Sequence, residues 1–126
     1  MLNEIAKQWF QKAKNDLLNA DNNFHSEKIP YDTVCFHCQQ AAEKLLKAFL
    51  INNNNEIPYT HDLLLLLEHI LKIDENAEEL RDYLIILIPY AVEIRYPDDW
   101  FMPSPEDALE ARNATAKVIK WFNENK

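Results

Sequence analysis

Apolar positions recur along this chain at the three- and four-residue spacing of amphipathic helices, and they predict five helical segments and no strand. The first segment runs from about Asn3 to Phe24. Ile5, Trp9, Ala13, Ala20 and Phe24 form its stripe, with Phe10 and Leu17 beside it. One acid, Asp16, interrupts the pattern, projecting between Ile5 and Trp9 on the stripe's edge. The second segment spans about Pro30 to Ile51, with Pro30 suited to its first position. Val34, Cys38, Ala41, Ala42, Leu45, Ala48 and Phe49 make an apolar arc, and His37, Gln40, Lys44 and Lys47 share a strip on the other side. Glu43 and Lys47 stand four apart, a favourable spacing for an ion pair along a helix.

The third segment is His61–Lys72, with Thr60 as its expected N-cap and Asp62 in its first turn. Leu63 to Leu67 are all leucine, so this helix is apolar almost all round and should be buried on several sides or lie at an interface. Leu65 falls between Glu68 and His69 on the face expected to be wet. The fourth segment, about Asn76 to Arg95, carries Leu80, Leu84, Leu87, Ala91 and Ile94, and Pro89 must kink or split it. Projection through that kink puts Arg95 on the apolar side. Pro97 then opens an irregular loop to Pro103. Ser104 caps the last helix, with Pro105 at its first position and Asp107 closing a capping box. Ala108, Ala111, Thr115, Val118 and Phe122 form its buried stripe, while Leu109 and Trp121 lie off it. The expectation is one all-α domain over residues 1–126, a bundle of four to five antiparallel helices without an internal repeat.

Composition narrows the chemistry. Glycine is wholly absent, which excludes the Gly-rich loops that bring backbone close to phosphate and the two-residue Gly hairpins of sheets. Helix ends must use other residues, and Asn22–Asn23, Asn52–Asn55 and Asn123 fall where ends are expected. The formal net charge of −8 argues against non-specific DNA binding and against docking on anionic membrane. No run reaches the ~18 apolar residues of a membrane span. The charged stretch Met1–Asn15 is no signal peptide, so a cytoplasmic location with reduced thiols is expected.

Cys35-Phe36-His37-Cys38 has the spacing of a redox pair or half a zinc site. Cys35 lies inside a helix rather than at its N-terminus, both cysteines fall in the apolar arc, and no second ligand pair exists, so two small core residues are expected, with no metal and no cofactor. Of the four histidines, His61 at a helix start is the best candidate for a functional role, although a base needs a partner within reach. The two serines, Ser26 and Ser104, lack a nucleophile-elbow context. Arg95 is the most informative residue. A guanidinium keeps its proton, so burial demands a carboxylate or an anionic ligand. Two accounts stand: a structural ion pair with the inward-pointing Asp16, or an arginine held at a cleft for phosphate.

Three stretches carry a family resemblance: Ala13-Lys14-Asn15-Asp16-Leu17 with Ala20; Cys38-Gln39-Gln40-Ala41-Ala42-Glu43-Lys44-Leu45-Leu46-Lys47-Ala48 followed by Thr60-His61-Asp62-Leu63; and Arg95-Tyr96-Pro97-Asp98. In this order and spacing the chain resembles the HEPN family, the "higher eukaryotes and prokaryotes nucleotide-binding" domains. The resemblance implies an up-and-down helical bundle that dimerises and is paired with a small nucleotidyltransferase, in a toxin–antitoxin-like system. Other members are metal-independent ribonucleases with an arginine, four to six residues, then a histidine. Arg95 matches that arginine, but Trp100, Phe101 and Met102 occupy the histidine positions and no histidine follows His69. The expected function is therefore a homodimeric binding or partner module with no catalytic residues assigned. Its candidate ligand residues for a nucleotide or RNA phosphate are Arg95, Lys44, Lys47, Asp16 and His61. A divergent ribonuclease using Arg95 with His61 or His37, and a ligand-free helical assembly module, are the alternatives. The leucine-rich third helix, with Leu65, is a candidate dimer surface, and Leu109 and Trp121 add further apolar surface.

Overall fold

A computed structural model describes residues 1–92 and 102–126. Among the described residues there are five α-helices, named here α1 (Glu4–Phe24), α2 (Tyr31–Asn52), α3 (Leu63–Leu71), α4 (Arg81–Leu87) and α5 (Pro105–Asn125), with 3-10 turns at Glu75–Leu80 and Ile88–Tyr90. There is no strand among the described residues, and no helix there is long and apolar enough to cross a membrane.

The helix ends follow local chemistry. Asn3 accepts from the Ala6 amide to start α1. Ser104 and Asp107 form the expected capping box of α5. At the end of α2, Asn54 takes the left-handed conformation with φ 60°, the role that glycine fills elsewhere. Two expectations shift here. The N-cap of α3 is Asp62, whose Oδ1 accepts from the Leu64 and Leu65 amides, while Thr60 supports it by accepting from the Asp62 amide. Pro30 is the N-cap of α2 rather than its first residue. The fourth segment is divided more than expected. It begins as a 3-10 turn capped by Asp74, and the α-helical part ends before Pro89, which cannot donate to the ladder.

Helix α2 is the centre of the bundle, packing on α1, α3 and α5. Asn3 at the start of α1 bonds Asn52 and Ile51 at the end of α2, whereas Asp16 meets His37, so the two helices are antiparallel. Phe10 on Phe122 and Asp21 on Arg112 set α5 antiparallel to α1. The interior is filled by Leu45, Leu46 and Leu50 of α2, by Leu63, Leu66, Leu67 and Ile70 of α3, and by Leu84, Leu87 and Phe122. All seven residues expected in the apolar arc of α2 are buried, as are the five of α5.

Three residues depart from their expected places. Ile5 is 56% exposed, and its neighbour Ala6 is fully buried instead. An alanine there allows α1 to approach α2 closely. Trp121, placed off the buried stripe, is only 2% exposed and packs at a tilt of 52° against Phe49 with centroids 4.9 Å apart. It is buried because α5 contacts both α2 and α4, which widens its covered arc. Lys47, expected on the outer side of α2, is buried with Glu43. Leu65 is 42% exposed and Leu109 55%, as expected. Arg95, with Ile94 and residues 97–101 of the loop, lies outside the described residues.

Leu45 has no exposed surface. Leu45→Ala should lower unfolding free energy by about 2–5 kcal/mol, whereas Leu65→Ala should stay within about 0.5 kcal/mol. Urea denaturation of both variants measures the contrast, and equal losses would contradict this packing.

Candidate functional site

The polar residues buried with α2 gather around two carboxylates, and each carboxylate holds one lysine and one histidine. Asp16 of α1 accepts from His37 Nδ1 at 2.8 Å and from Lys44 Nζ. Glu43 of α2 accepts from Lys47 Nζ at 2.9 Å, and its two oxygens lie 3.0 and 3.1 Å from His61 Nδ1. Gln39 adds a longer bond to Glu43 at 3.4 Å, and its own oxygen accepts from Gln40 at 2.7 Å. The Lys47 ammonium also lies over the Trp9 ring, 5.5 Å from its centroid. Helical geometry explains the layout. Gln39, Glu43 and Lys47 succeed one another at four-residue steps and so share one face of α2. His37 and Lys44 are seven apart, two turns on the same side, and bracket Asp16 on the facing helix.

The two clusters differ in exposure. The side chains of Glu43 and Lys47 are 4% and 9% exposed, a buried ion pair completed by further hydrogen bonds. His61 is 76% exposed and only its Nδ1 edge reaches inward. A carboxylate only accepts, so Nδ1 carries the proton, and in the neutral ring Nε2 presents a lone pair outward. His61 stands at the rim of a cleft of about 480 Å³ formed with Gln39, Leu63, Leu64, Ile88 and Ala91. A carboxylate-oriented imidazole at a cleft can accept a proton or a hydrogen bond from a bound molecule.

The sequence candidates thus fall into two groups. Asp16 and Lys44 are brought together, joined by His37. Lys47 and His61 are brought together, joined by Glu43. Arg95 lies outside the described residues, so its pairing with Asp16 does too. Each lysine already faces a carboxylate, which leaves little of its charge for an outside anion. Glu43 and Gln39 were not singled out as site residues from sequence. Their signal was the four-step series Gln39, Glu43, Lys47, which reads as an ordinary surface pair until α2 is known to be central.

The Cys35 and Cys38 side chains are buried and free. Burial pushes the Cys35 thiol up to about 12, aided by the neighbouring Cys38, and burial likewise raises Cys38 to about 11. Neither thiolate is favoured near neutral pH, so neither cysteine suits redox exchange or metal ligation. Among the described residues no group of three or more His, Cys, Asp or Glu could hold a metal ion. On the far side of α1, Arg112 clamps α5 with bonds of 2.7 and 3.1 Å to Asp21, holding that carboxyl below its usual range.

A family model described as HEPN domain matches residues 6–125. The chain belongs to the HEPN family. Its fold is shared by two solved structures. TT1696 from Thermus thermophilus is 25% identical with a TM-score of 0.83, covering 96% of this chain and 98% of that one. ST0689, an archaeal HEPN homologue, is also 25% identical, with a TM-score of 0.67 and coverage of 94% and 95%. No match is found among curated proteins. In this HEPN domain the stretch of strongest sequence resemblance, Gln39 to Ala48, is the part of α2 that carries the buried Glu43 cluster.

Two outcomes follow from this geometry. Glu43→Ala leaves Lys47 buried without its carboxylate and should cost about 3–5 kcal/mol, whereas a Glu43→Leu/Lys47→Met double variant should recover much of the loss. Chemical denaturation of both chains checks this. The native thiols should resist a thiol-reactive dye at pH 8 and react only after denaturant unfolds the chain. Rapid labelling of the folded protein would show the cysteines to be accessible.

Proposed function

We propose that this HEPN domain is a homodimeric binding module that works beside a small nucleotidyltransferase and takes a nucleotide or RNA phosphate at the cleft beside α3. The observation that carries this reading is His61, fixed by a buried Glu43 and exposed at the rim of a cleft with leucine and isoleucine walls. Apolar walls suit a base or ribose face, and the outward Nε2 suits a hydroxyl or phosphate partner. Arg95 follows the cleft residue Ala91 by four positions in the sequence and supplies a permanent positive charge for the phosphate. Lys44 and Lys47 act indirectly here, by holding Asp16 and Glu43. The net charge of −8 favours a short ligand held at one point over a long polyanion.

Titration of the purified chain with nucleotides and short RNAs tests this. Arg95→Ala should weaken binding at least tenfold, about 1.4 kcal/mol, with little change in melting temperature. Absence of binding in the natural chain, or binding unaltered by the substitution, overturns the reading. Co-expression with the nucleotidyltransferase of a neighbouring gene tests the pairing through co-purification.

The Glu43–His61 pair favours one second reading, a divergent ribonuclease in which His61 takes the part of the missing histidine. Cleavage of RNA by the natural chain, lost in both Arg95→Ala and His61→Ala, would select it over the binding module.

A further inference from the structure

Another cleft, of about 290 Å³, opens where the 3-10 turn before α4 and the start of α4 meet the C-terminal half of α5. It shares no lining residue with the cleft beside His61. Leu80, Tyr83 and Trp121 give it apolar and aromatic surface. Trp121 is 2% exposed, and its indole Nε1 has no hydrogen-bond partner. An indole N–H can only donate, and buried donors in folded proteins are almost always paired. An orphan of this kind marks a place where an acceptor belongs.

Four charged residues line the same cleft: Glu79, Lys117, Lys120 and Glu124. None of them has an ion-pair partner among the described residues, although Lys120 and Glu124 stand four apart on one helix. They are sorted along the groove. Lys117 and Tyr83 also border the neighbouring cleft toward the start of α5, whereas Glu79 and Glu124 do not. Glu79 lies about one turn before Tyr83 and Glu124 about two turns after Lys117, and α4 and α5 run in opposite directions. Both acids therefore fall at one end and Lys117 at the other, about 10 Å away along α5. Lys120 and Trp121 lie between them. Two lysines and two glutamates leave the lining with no net charge. A simple anion would meet both acids, and a simple cation both lysines. A molecule carrying one charge of each sign complements the whole cleft.

We propose that this cleft binds a small zwitterion, of the class of a free amino acid with an apolar side chain. Its carboxylate takes Lys120 and the Trp121 N–H, with Lys117 adding positive charge behind them. Its ammonium faces Glu79 and Glu124, and its side chain lies against Leu80 and the Tyr83 ring. Solvent does not reach Nε1, so the exposed lysine and glutamate side chains of the cleft turn aside to admit the carboxylate. The volume, at the lower end of the range for ligand sites, suits a molecule smaller than a nucleotide. This site is separate from the one proposed beside His61 and does not depend on it.

Calorimetric titration of the full chain with leucine and phenylalanine tests this, beside leucinamide, N-acetylleucine and inorganic phosphate. The free amino acids should bind saturably. The amide lacks the carboxylate and the acetyl form lacks the ammonium, so each should bind about tenfold more weakly or worse. Glu79→Gln and Lys120→Gln should each weaken amino-acid binding by a similar factor. Both residues are exposed, so circular dichroism and melting temperature should stay unchanged. The Trp121 indole N–H resonance should shift when the amino acid binds. Arg95→Ala should leave amino-acid binding unaltered. Phosphate binding as tightly as leucine would reveal a plain anion site and overturn the zwitterion. Absence of saturable binding by every probe, or amino-acid binding unmoved by both substitutions, overturns the site. Loss of amino-acid binding in Arg95→Ala would place the ligand beside His61 and overturn this cleft.

Discussion

Helix α2 is covered on nearly all sides yet carries a glutamate, a lysine and a glutamine into the covered region, and much of the structure answers that constraint. A charge removed from water is costly unless an opposite charge and hydrogen bonds replace the water. Glu43 meets Lys47 on its own helix, but one lysine cannot satisfy two carboxylate oxygens, and Gln39 and His61 supply the rest. His61 precedes α3, so its bond to Glu43 fixes where the chain returns to α2 after the Asn-rich turn. Trp9 of α1 covers the Lys47 ammonium from the other side. The same few contacts therefore set the position of α1, the start of α3 and the geometry of the candidate site.

This arrangement reassigns the positive charges of the domain. Lys44 and Lys47 look in sequence like a basic strip able to meet phosphate. In the fold each is the counter-charge of an acid, and the strip is close to neutral. What remains beside α3 is an oriented imidazole at the rim of a cleft with leucine and isoleucine walls. The cysteines tell a similar story in apolar terms. Their motif spacing suggests chemistry, but burial raises both thiols and makes them small packing residues. Thr115 of α5 uses that close packing to donate to the Cys38 carbonyl at 3.1 Å, satisfying a buried hydroxyl.

The chain builds these features without glycine, and the consequences are local. Asn54 takes the left-handed position after α2, and Asp62, Asp74 and Ser104 cap the elements that follow. Pro89 stops α4 early and converts its end to a 3-10 turn, so that Ile88 and Ala91 line the cleft instead of continuing a helical stripe.

The sequence by itself determined the number and type of elements, the apolar faces of α2 and α5, the capping box at Ser104 and the break at Pro89. All of these rest on interactions between residues a few positions apart, and periodicity and side-chain type report such interactions directly. Family membership was legible for the same reason, since Gln39 to Ala48 form one continuous stretch. Only the tertiary structure decided that the second face of α2 is also covered, that Glu43 meets a histidine eighteen positions away, that Trp121 is inside while Ile5 is not, and that Asp16 is shared by His37 and Lys44. A helix's pattern states which face prefers to be dry. How many neighbours it receives, and which charges must then be neutralised, depends on contacts between distant parts of the chain that no local pattern contains.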